Sequence, residues 1–156
     1  MGLAERSLAP VLLRLGLGLT FLFAGLEKVV RGPAYVVPYF SEFGIAWPEI
    51  SGPMVSYFEL IGGICLLLGL GRRLLGVLFA TEMLVVIAVV RLPDATVADS
   101  VIDAFVTVRL ELLIALVATA LALLGPDRWS LDARLRGRLG PLFGRWRGWS
   151  RPSKSA

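Results

Sequence analysis

Seven ionisable side chains interrupt otherwise apolar stretches of the chain, and these residues could carry its chemistry. They are Arg14, Glu27, Lys28, Glu59, Glu82, Arg109 and Glu111. A charge at bilayer depth costs at least ~2.5 kcal/mol on insertion scales, and such a side chain faces protein or water rather than lipid. Two interpretations follow. The charges either form buried ion pairs that fix helix register, or they line a pocket for a polar ligand or a proton path.

The segments that hold these charges are long enough to cross a bilayer, since a spanning helix needs about 20 residues. The chain has 156 residues, 56% of them hydrophobic, and a mean hydropathy of +0.77. A soluble domain is nearer ~45–50% apolar. We predict four spans, at about residues 8–30, 53–70, 74–90 and 101–124, in one membrane domain of residues 1–126. The fold class is all-α: an integral membrane four-helix bundle made of two antiparallel hairpins.

Charge asymmetry predicts how the spans are oriented. Arg72, Arg73 and a basic tail of residues 127–156 mark the cytoplasmic side, whereas the loops at 31–52 and 91–103 are net acidic. Both termini are therefore expected in the cytoplasm. The tail carries eight Lys or Arg against two acids, with aromatic residues between them. We expect it to lie on an anionic leaflet of the bilayer rather than to bind nucleic acid.

The stretch of residues 31–52 is rich in glycine, proline and aromatic side chains, which is typical of a loop. One interpretation is an interfacial aromatic belt. The other is a lid over the outer mouth of the bundle.

Four of the charges are expected at one depth in the outer half of the bundle. Glu59 lies roughly 9 Å from the outer end of its span, Arg109 and Glu111 about 12–15 Å from theirs, and Lys28 near the outer end of the first span. Arg109 and Glu111 point about 200° apart and must meet different partners. Arg109 with Glu59 and Lys28 with Glu111 is one arrangement, and the swapped pairing is equally allowed.

Helical phase places charged and small residues on shared faces. On the first span such a stripe joins Arg14, Gly18, Phe21, Gly25 and Lys28. On the second span Ser56, Glu59 and Gly63 form a similar stripe. Small residues let a neighbouring helix approach closely, so both faces should point into the bundle.

Two further charges stand apart from the outer layer. Arg14 lies well below it, in the inner half of the first span, although its long side chain narrows the gap. Glu82 is near the middle of the third span. Unless it reaches Arg14 or Arg109 we expect a protonated carboxyl, because burial disfavours the charged form. It then serves as a core hydrogen bonder or as a proton relay.

Two residue counts exclude several kinds of site. The chain has no His, which removes His-ligated haem and His-based zinc sites, so neither haem nor a metal is expected. Cys65 is the single cysteine, so the chain forms no internal disulfide and no CxxC redox pair. Its expected role is that of a small packing residue.

Short motifs resemble the DoxX family over about residues 8–132. They are Arg14-Leu-Gly with Phe21-Leu-Phe-Ala-Gly-Leu-Glu-Lys28, then Phe58-Glu59-Leu60-Ile61-Gly62-Gly63, Arg109-x-Glu111, and the stop at Gly125-Pro126 followed by Trp129-Ser130-Leu131-Asp132. The resemblance implies a four-helix protein of the bacterial inner membrane, linked to quinone and sulfur redox chemistry. It also implies that other relatives sit in membrane complexes with soluble thiol- or superoxide-handling proteins. Glu82 is not part of the recognised pattern.

Two classes of function are consistent with these features. The first is a redox-linked membrane subunit that binds a quinone head group or a small sulfur anion. Lys28, Arg109 and Arg14 would be its substrate contacts and Glu59 and Glu111 its catalytic proton acceptors. A soluble or membrane partner would carry the electrons, and a homo-oligomer is a further option. The second class is a non-enzymatic scaffold or small carrier whose charges are structural or line a permeation route.

Overall fold

The computed structural model describes residues 8–124 and 131–132. Within them every regular element is helical, and there is no strand. The elements are α1 (Ala9–Arg31), α2 (Pro33–Glu42), α3 (Pro48–Leu68), α4 (Arg72–Val86), a π-helical segment (Ile87–Arg91), α5 (Leu92–Thr96) and α6 (Val101–Leu123). Four stretches are long and apolar enough to cross a membrane: Ala9–Arg31, Pro48–Leu68, Arg72–Thr96 and Val101–Leu123.

Helices α1 and α3 make the most extensive contact, and α4 packs mainly on α6. The α1–α3 contact depends on glycine. A Cβ atom built on Gly25 would lie 2.3 Å from the backbone nitrogen of Leu60, and one on Gly63 would lie 2.4 Å from that of Leu22. Only a residue without a side chain fits there, so the two backbones touch directly. This is the contact that brings the charged stripes of α1 and α3 together.

An aromatic cluster fills the centre of the bundle. The rings of Phe21 on α1 and Phe79 on α4 are stacked with their centroids 3.6 Å apart, and Phe58 of α3 lies 5.0 Å from Phe79. Phe21 and Phe79 are almost completely buried. Below these rings lie small and aliphatic side chains, among them Leu66 and Ala118. We call Phe21, Phe58 and Phe79 the aromatic floor, because they lie beneath the cavity described below.

The stretch of residues 31–52, predicted to be a loop, contains a ten-residue helix and the start of α3. The physical reason lies in its prolines. Pro33 and Pro48 occupy the first helical positions, where the missing N–H group has no bond to make, so they begin helices rather than interrupt them. Gly32, whose φ of +75° is readily adopted only by glycine, ends α1 immediately before α2.

The third span also continues further than expected. The sequence predicted its end at residue 90, but the chain passes through the π-helical segment into α5 and remains helical to Thr96. Pro93 again lies in a first turn. The polar loop expected from residue 91 is therefore confined to the few residues before Val101.

The opposite end of the bundle is tied together by polar contacts. The Asp132 carboxylate accepts hydrogen bonds from the backbone N–H groups of Gly71 (3.1 Å) and Arg72 (3.4 Å), at the start of α4. The buried Arg72 guanidinium donates to the carbonyl oxygen of Leu124 at 2.7 Å. The rest of the predicted basic tail lies outside the described residues.

Candidate functional site

A half-open cavity of about 330 Å³ lies above the aromatic floor and is lined by residues of α1, α2, α3, α4, the π-helical segment and α6. Its apolar and aromatic walls come from Phe21, Ala24, Val36, Phe40, Ile45, Val55, Met83, Val86, Val90 and Ile114. Its polar side chains are Thr20, Lys28, Tyr35, Tyr39, Glu59, Glu82, Arg91 and Glu111. Such a mixture of apolar walls with a few convergent polar groups is typical of a small-molecule site.

One ion pair joins the α1 and α3 sides of this cavity. The Lys28 Nζ lies 2.5 Å from each carboxylate oxygen of Glu59. Glu59 is almost completely buried, whereas the Lys28 side chain keeps 27% exposure. This charge-assisted contact between a buried carboxyl and a partly exposed ammonium keeps the cation at the cavity surface.

Glu82 of α4 extends this pair into a three-residue cluster. Its carboxyl lies within hydrogen-bonding reach of Glu59 and interacts with the charge of Lys28. The Glu82 Oε2 atom is buried and has no hydrogen-bond partner among the described residues. Buried polar atoms ordinarily have a partner, so this oxygen is a candidate contact for a bound molecule.

A second ion pair lies on the α4–α6 side. The Nε group of Arg91 donates a hydrogen bond to one carboxylate oxygen of Glu111 at 2.7 Å, and a terminal nitrogen of the same guanidinium lies 2.7 Å from that oxygen. Glu111 is buried, while 40% of the Arg91 side chain is exposed. Arg91 is the last residue of the π-helical segment, in which each turn holds an extra residue. That local change of helical phase is what directs Arg91 toward α6.

Helix α2 covers the cavity from above. Tyr35, Val36, Tyr39 and Phe40 all line it, and Val36 and Phe40 are buried. Burial raises the pKa of the Tyr39 phenol above its usual value, partly offset by the nearby Arg91 cation. Tyr39 therefore stays a neutral hydrogen-bond donor at physiological pH. The position of α2 corresponds to the lid interpretation of residues 31–52.

Four of the residues singled out in the sequence line this one cavity: Lys28, Glu59, Glu82 and Glu111. The structure contains the Lys28–Glu59 ion pair, which belongs to one of the two predicted pairings. Glu111 pairs with Arg91, and Arg109 forms an ion pair with neither Glu59 nor Glu111. Glu27 instead forms an exposed pair with Arg31 at 2.9 Å.

Arg109 and Arg14, both predicted as substrate contacts, do not line the cavity. Arg109 is exposed on α6 and does not line the cavity. It lies about 12 Å along α6 from Val101, so its long side chain can extend toward the polar end of the helix. Arg14 is buried, but it lies about 21 Å along α1 from Lys28, on the far side of the aromatic floor, and does not line the cavity either.

Sequence reasoning missed Arg91 and the tyrosines of α2. Arg91 was assigned to a loop because it ends the apolar run. One signal was available: no glycine or proline separates Arg91 from that run, and Pro93 suits the first turn of a further helix. Helix α2 had a similar signal in Pro33, directly after Gly32.

Comparisons with known proteins identify a family and one similar protein. The family model described as DoxX matches residues 9–92, which include Lys28, Glu59, Glu82 and Arg91 but not Glu111. The chain is 30% identical over 125 residues to "Putative oxidoreductase CatD" of Bacillus subtilis (strain 168), across 80% of this chain and 85% of the relative. No solved structure matches the chain significantly.

Proposed function

The chain belongs to the DoxX family of multi-pass membrane proteins, and we propose that it is the membrane subunit of an oxidoreductase whose cavity binds a quinone head group. The observation that carries the proposal is the cavity itself. It combines apolar and aromatic walls with one ion pair, Lys28–Glu59, on the α1–α3 side and another, Arg91–Glu111, on the α4–α6 side. A flat, mostly apolar ring with two carbonyl oxygens suits such a lining.

The charges of the cavity favour a neutral ligand over a small sulfur anion. Its two cations, Lys28 and Arg91, are each already paired with a carboxylate, and Glu82 adds a third carboxyl. An incoming anion would meet these carboxyls in a site of low dielectric constant, where repulsion is strong. A quinone brings no charge and only needs hydrogen-bond donors, which the exposed parts of Lys28 and Arg91 supply.

The chemistry assigned to the site is acid–base. Reduction of a quinone to a quinol takes up two electrons and two protons. We propose that the electrons come from a two-electron carrier, such as a reduced flavin, in a partner protein. Lys28 and Arg91 would position the carbonyl oxygens, and the carboxyls of Glu59, Glu82 and Glu111 would pass protons to them.

We further propose that the protein lies in the bacterial inner membrane as two antiparallel hairpins, with both termini in the cytoplasm and α2 on the outer side. Arg72 and Arg73, at the end of the bundle opposite α2, support this orientation through the positive-inside rule.

The aromatic floor argues against the carrier alternative, because a permeation route through the bundle would have to pass the stacked rings of Phe21 and Phe79.

Quinone binding to the purified protein tests the proposal. A short-tailed benzoquinone is titrated into protein in detergent, and the quenching of tryptophan fluorescence gives Kd. We expect Lys28→Gln and Arg91→Gln to weaken binding at least about tenfold, or ~1.4 kcal/mol. Arg109→Gln, which changes a cation outside the cavity, is the matched control and should bind like the wild type. Non-saturable quenching, or equal Kd in all four proteins, would refute the proposal.

A further inference from the structure

We propose that Glu59 and Glu82 form a carboxyl pair that holds one exchangeable proton, and that this pair is the proton-loading site of the cavity. The inference deepens the proposed function, because it identifies which carboxyls supply a proton to the bound ligand. It rests on the geometry of three side chains from three different helices.

Charge balance within the cavity is the first argument. Lys28 neutralises Glu59, and Arg91 neutralises Glu111, each through direct contact. Glu82 has no cation of its own among the described residues that line the cavity. One proton on the Glu59–Glu82 pair therefore makes the cavity electrically neutral, whereas its absence leaves an uncompensated charge in an apolar site, which is costly.

The contact between the two carboxyls is the second argument. Glu82 lies within hydrogen-bonding reach of Glu59. Two carboxylates so close together repel each other, and a single proton between them replaces the repulsion with a hydrogen bond. Because both oxygens of Glu59 face the Lys28 ammonium, Glu59 is the better anion of the two. The proton accordingly resides mainly on Glu82.

Access from the cavity is the third argument. Glu82 lines the cavity, and its buried Oε2 atom has no hydrogen-bond partner among the described residues. A ligand oxygen placed beside it would receive that bond. The other ionisable groups that face the cavity are Tyr35 and Tyr39 from α2, Arg91, and Glu111 from α6. Glu111 is paired with Arg91, so the two sides of the site differ in chemistry: one has two adjacent carboxyls with one cation, and the other has one carboxyl with one cation.

Infrared spectroscopy of the purified full-length protein tests the pair without any ligand. A protonated carboxyl gives a carbonyl stretching band that is separate from the amide and carboxylate bands and that shifts in D2O. We expect this band in the wild type at neutral pH, its loss in Glu82→Gln and in Glu59→Gln, and its retention in Glu111→Gln. Glu82→Met, which also lacks the carboxyl, provides a second variant should the first fold poorly.

The outcomes separate this inference from the proposed function. Absence of an exchangeable carboxyl band in the wild type, or its persistence in both Glu82→Gln and Glu59→Gln, overturns the carboxyl pair. Adding the short-tailed benzoquinone then tests the other claim, because a bound head group should shift the band. If the band follows the predicted variants but the quinone neither binds nor shifts it, the proton pair stands and the quinone proposal fails.

Discussion

Arg91 and Glu111 form a close ion pair: Nε of Arg91 donates a hydrogen bond to one carboxylate oxygen at 2.7 Å, and a terminal nitrogen lies 2.7 Å from the same oxygen. The pair connects the end of the π-helical segment to the middle of α6. It therefore closes the α4–α6 side of the cavity, as the Lys28–Glu59 pair closes the α1–α3 side. The Glu111 side chain is only 9% exposed, so its charge depends on Arg91 for compensation.

Arg91→Gln should destabilise the protein by about 1–3 kcal/mol, because the buried Glu111 carboxylate loses its charge partner. This loss of stability is expected to be smaller than the loss on breaking a fully buried ion pair, since the Arg91 side chain is 40% exposed. Thermal unfolding in detergent measures it. Adding Glu111→Gln to Arg91→Gln should restore part of the stability, because no unpaired charge then remains.

The exposed pair of Arg31 with Glu27 is the matched control for that measurement. Both side chains are more than half exposed, and Arg31→Gln should cost no more than about 1 kcal/mol. Equal losses in Arg31→Gln and Arg91→Gln would show that the Arg91–Glu111 pair contributes no more than a surface contact.

Much of the α1–α3 half of the site could be predicted from sequence. Apolar run length identifies the spans, and helical phase predicted the buried faces: Arg14, Gly18, Phe21 and Gly25 are buried on α1, as are Ser56, Glu59 and Gly63 on α3. Because small and charged residues share one stripe on each helix, the stripes determine which faces meet. The proximity of Lys28 and Glu59 follows from that contact.

The α4–α6 half could not be predicted in the same way. Arg109 and Glu111 lie on opposite faces of α6. Helical phase predicts that their side chains point in different directions, but it does not predict which of the two points into the bundle. That choice is made by packing: a Cβ on Gly76 of α4 would lie 2.8 Å from the carbonyl oxygen of Ala118, so α6 must turn this face toward α4. The π-helical segment, which directs Arg91 into the cavity, has no apolar periodicity that would reveal it.

Gly25→Ala and Gly63→Ala should each disrupt the α1–α3 contact. The added methyl carbon would lie 2.3 Å or 2.4 Å from backbone atoms of the facing helix, and backbone cannot yield as a flexible side chain can. We expect losses of at least ~1–3 kcal/mol, or failure to fold, because overpacking forces the helices apart. Gly16→Ala is the control, since its Cβ would meet nothing within 4 Å. Size-exclusion profiles and melting curves compare the three, and a stable Gly63→Ala protein would contradict the prediction.

Asp132→Ala should weaken the end of the bundle opposite the cavity. Its carboxylate accepts bonds from the N–H groups of Gly71 and Arg72, which begin α4 and have no partner within that helix. Loss of such a cap typically costs about 0.5–2 kcal/mol. Limited proteolysis and thermal unfolding should both report the change, with the exposed Asp99→Ala as control. Quinone affinity should stay unchanged, because the cap lies at the other end of the spans.

The aromatic floor should make the cavity accessible from one side of the membrane alone. In a Cys65→Ser background, Ala24→Cys places a thiol on the cavity wall and Leu17→Cys places one beneath the floor. We expect a charged, membrane-impermeant thiol reagent to modify Ala24→Cys only when it is added on the α2 side of oriented vesicles, and to leave Leu17→Cys unmodified from that side. Adding Phe79→Ala removes the ring that stacks on Phe21 and should expose the Leu17→Cys thiol. Modification of Ala24→Cys from both sides with the floor intact would show that the bundle opens through its centre, and would support the carrier alternative instead.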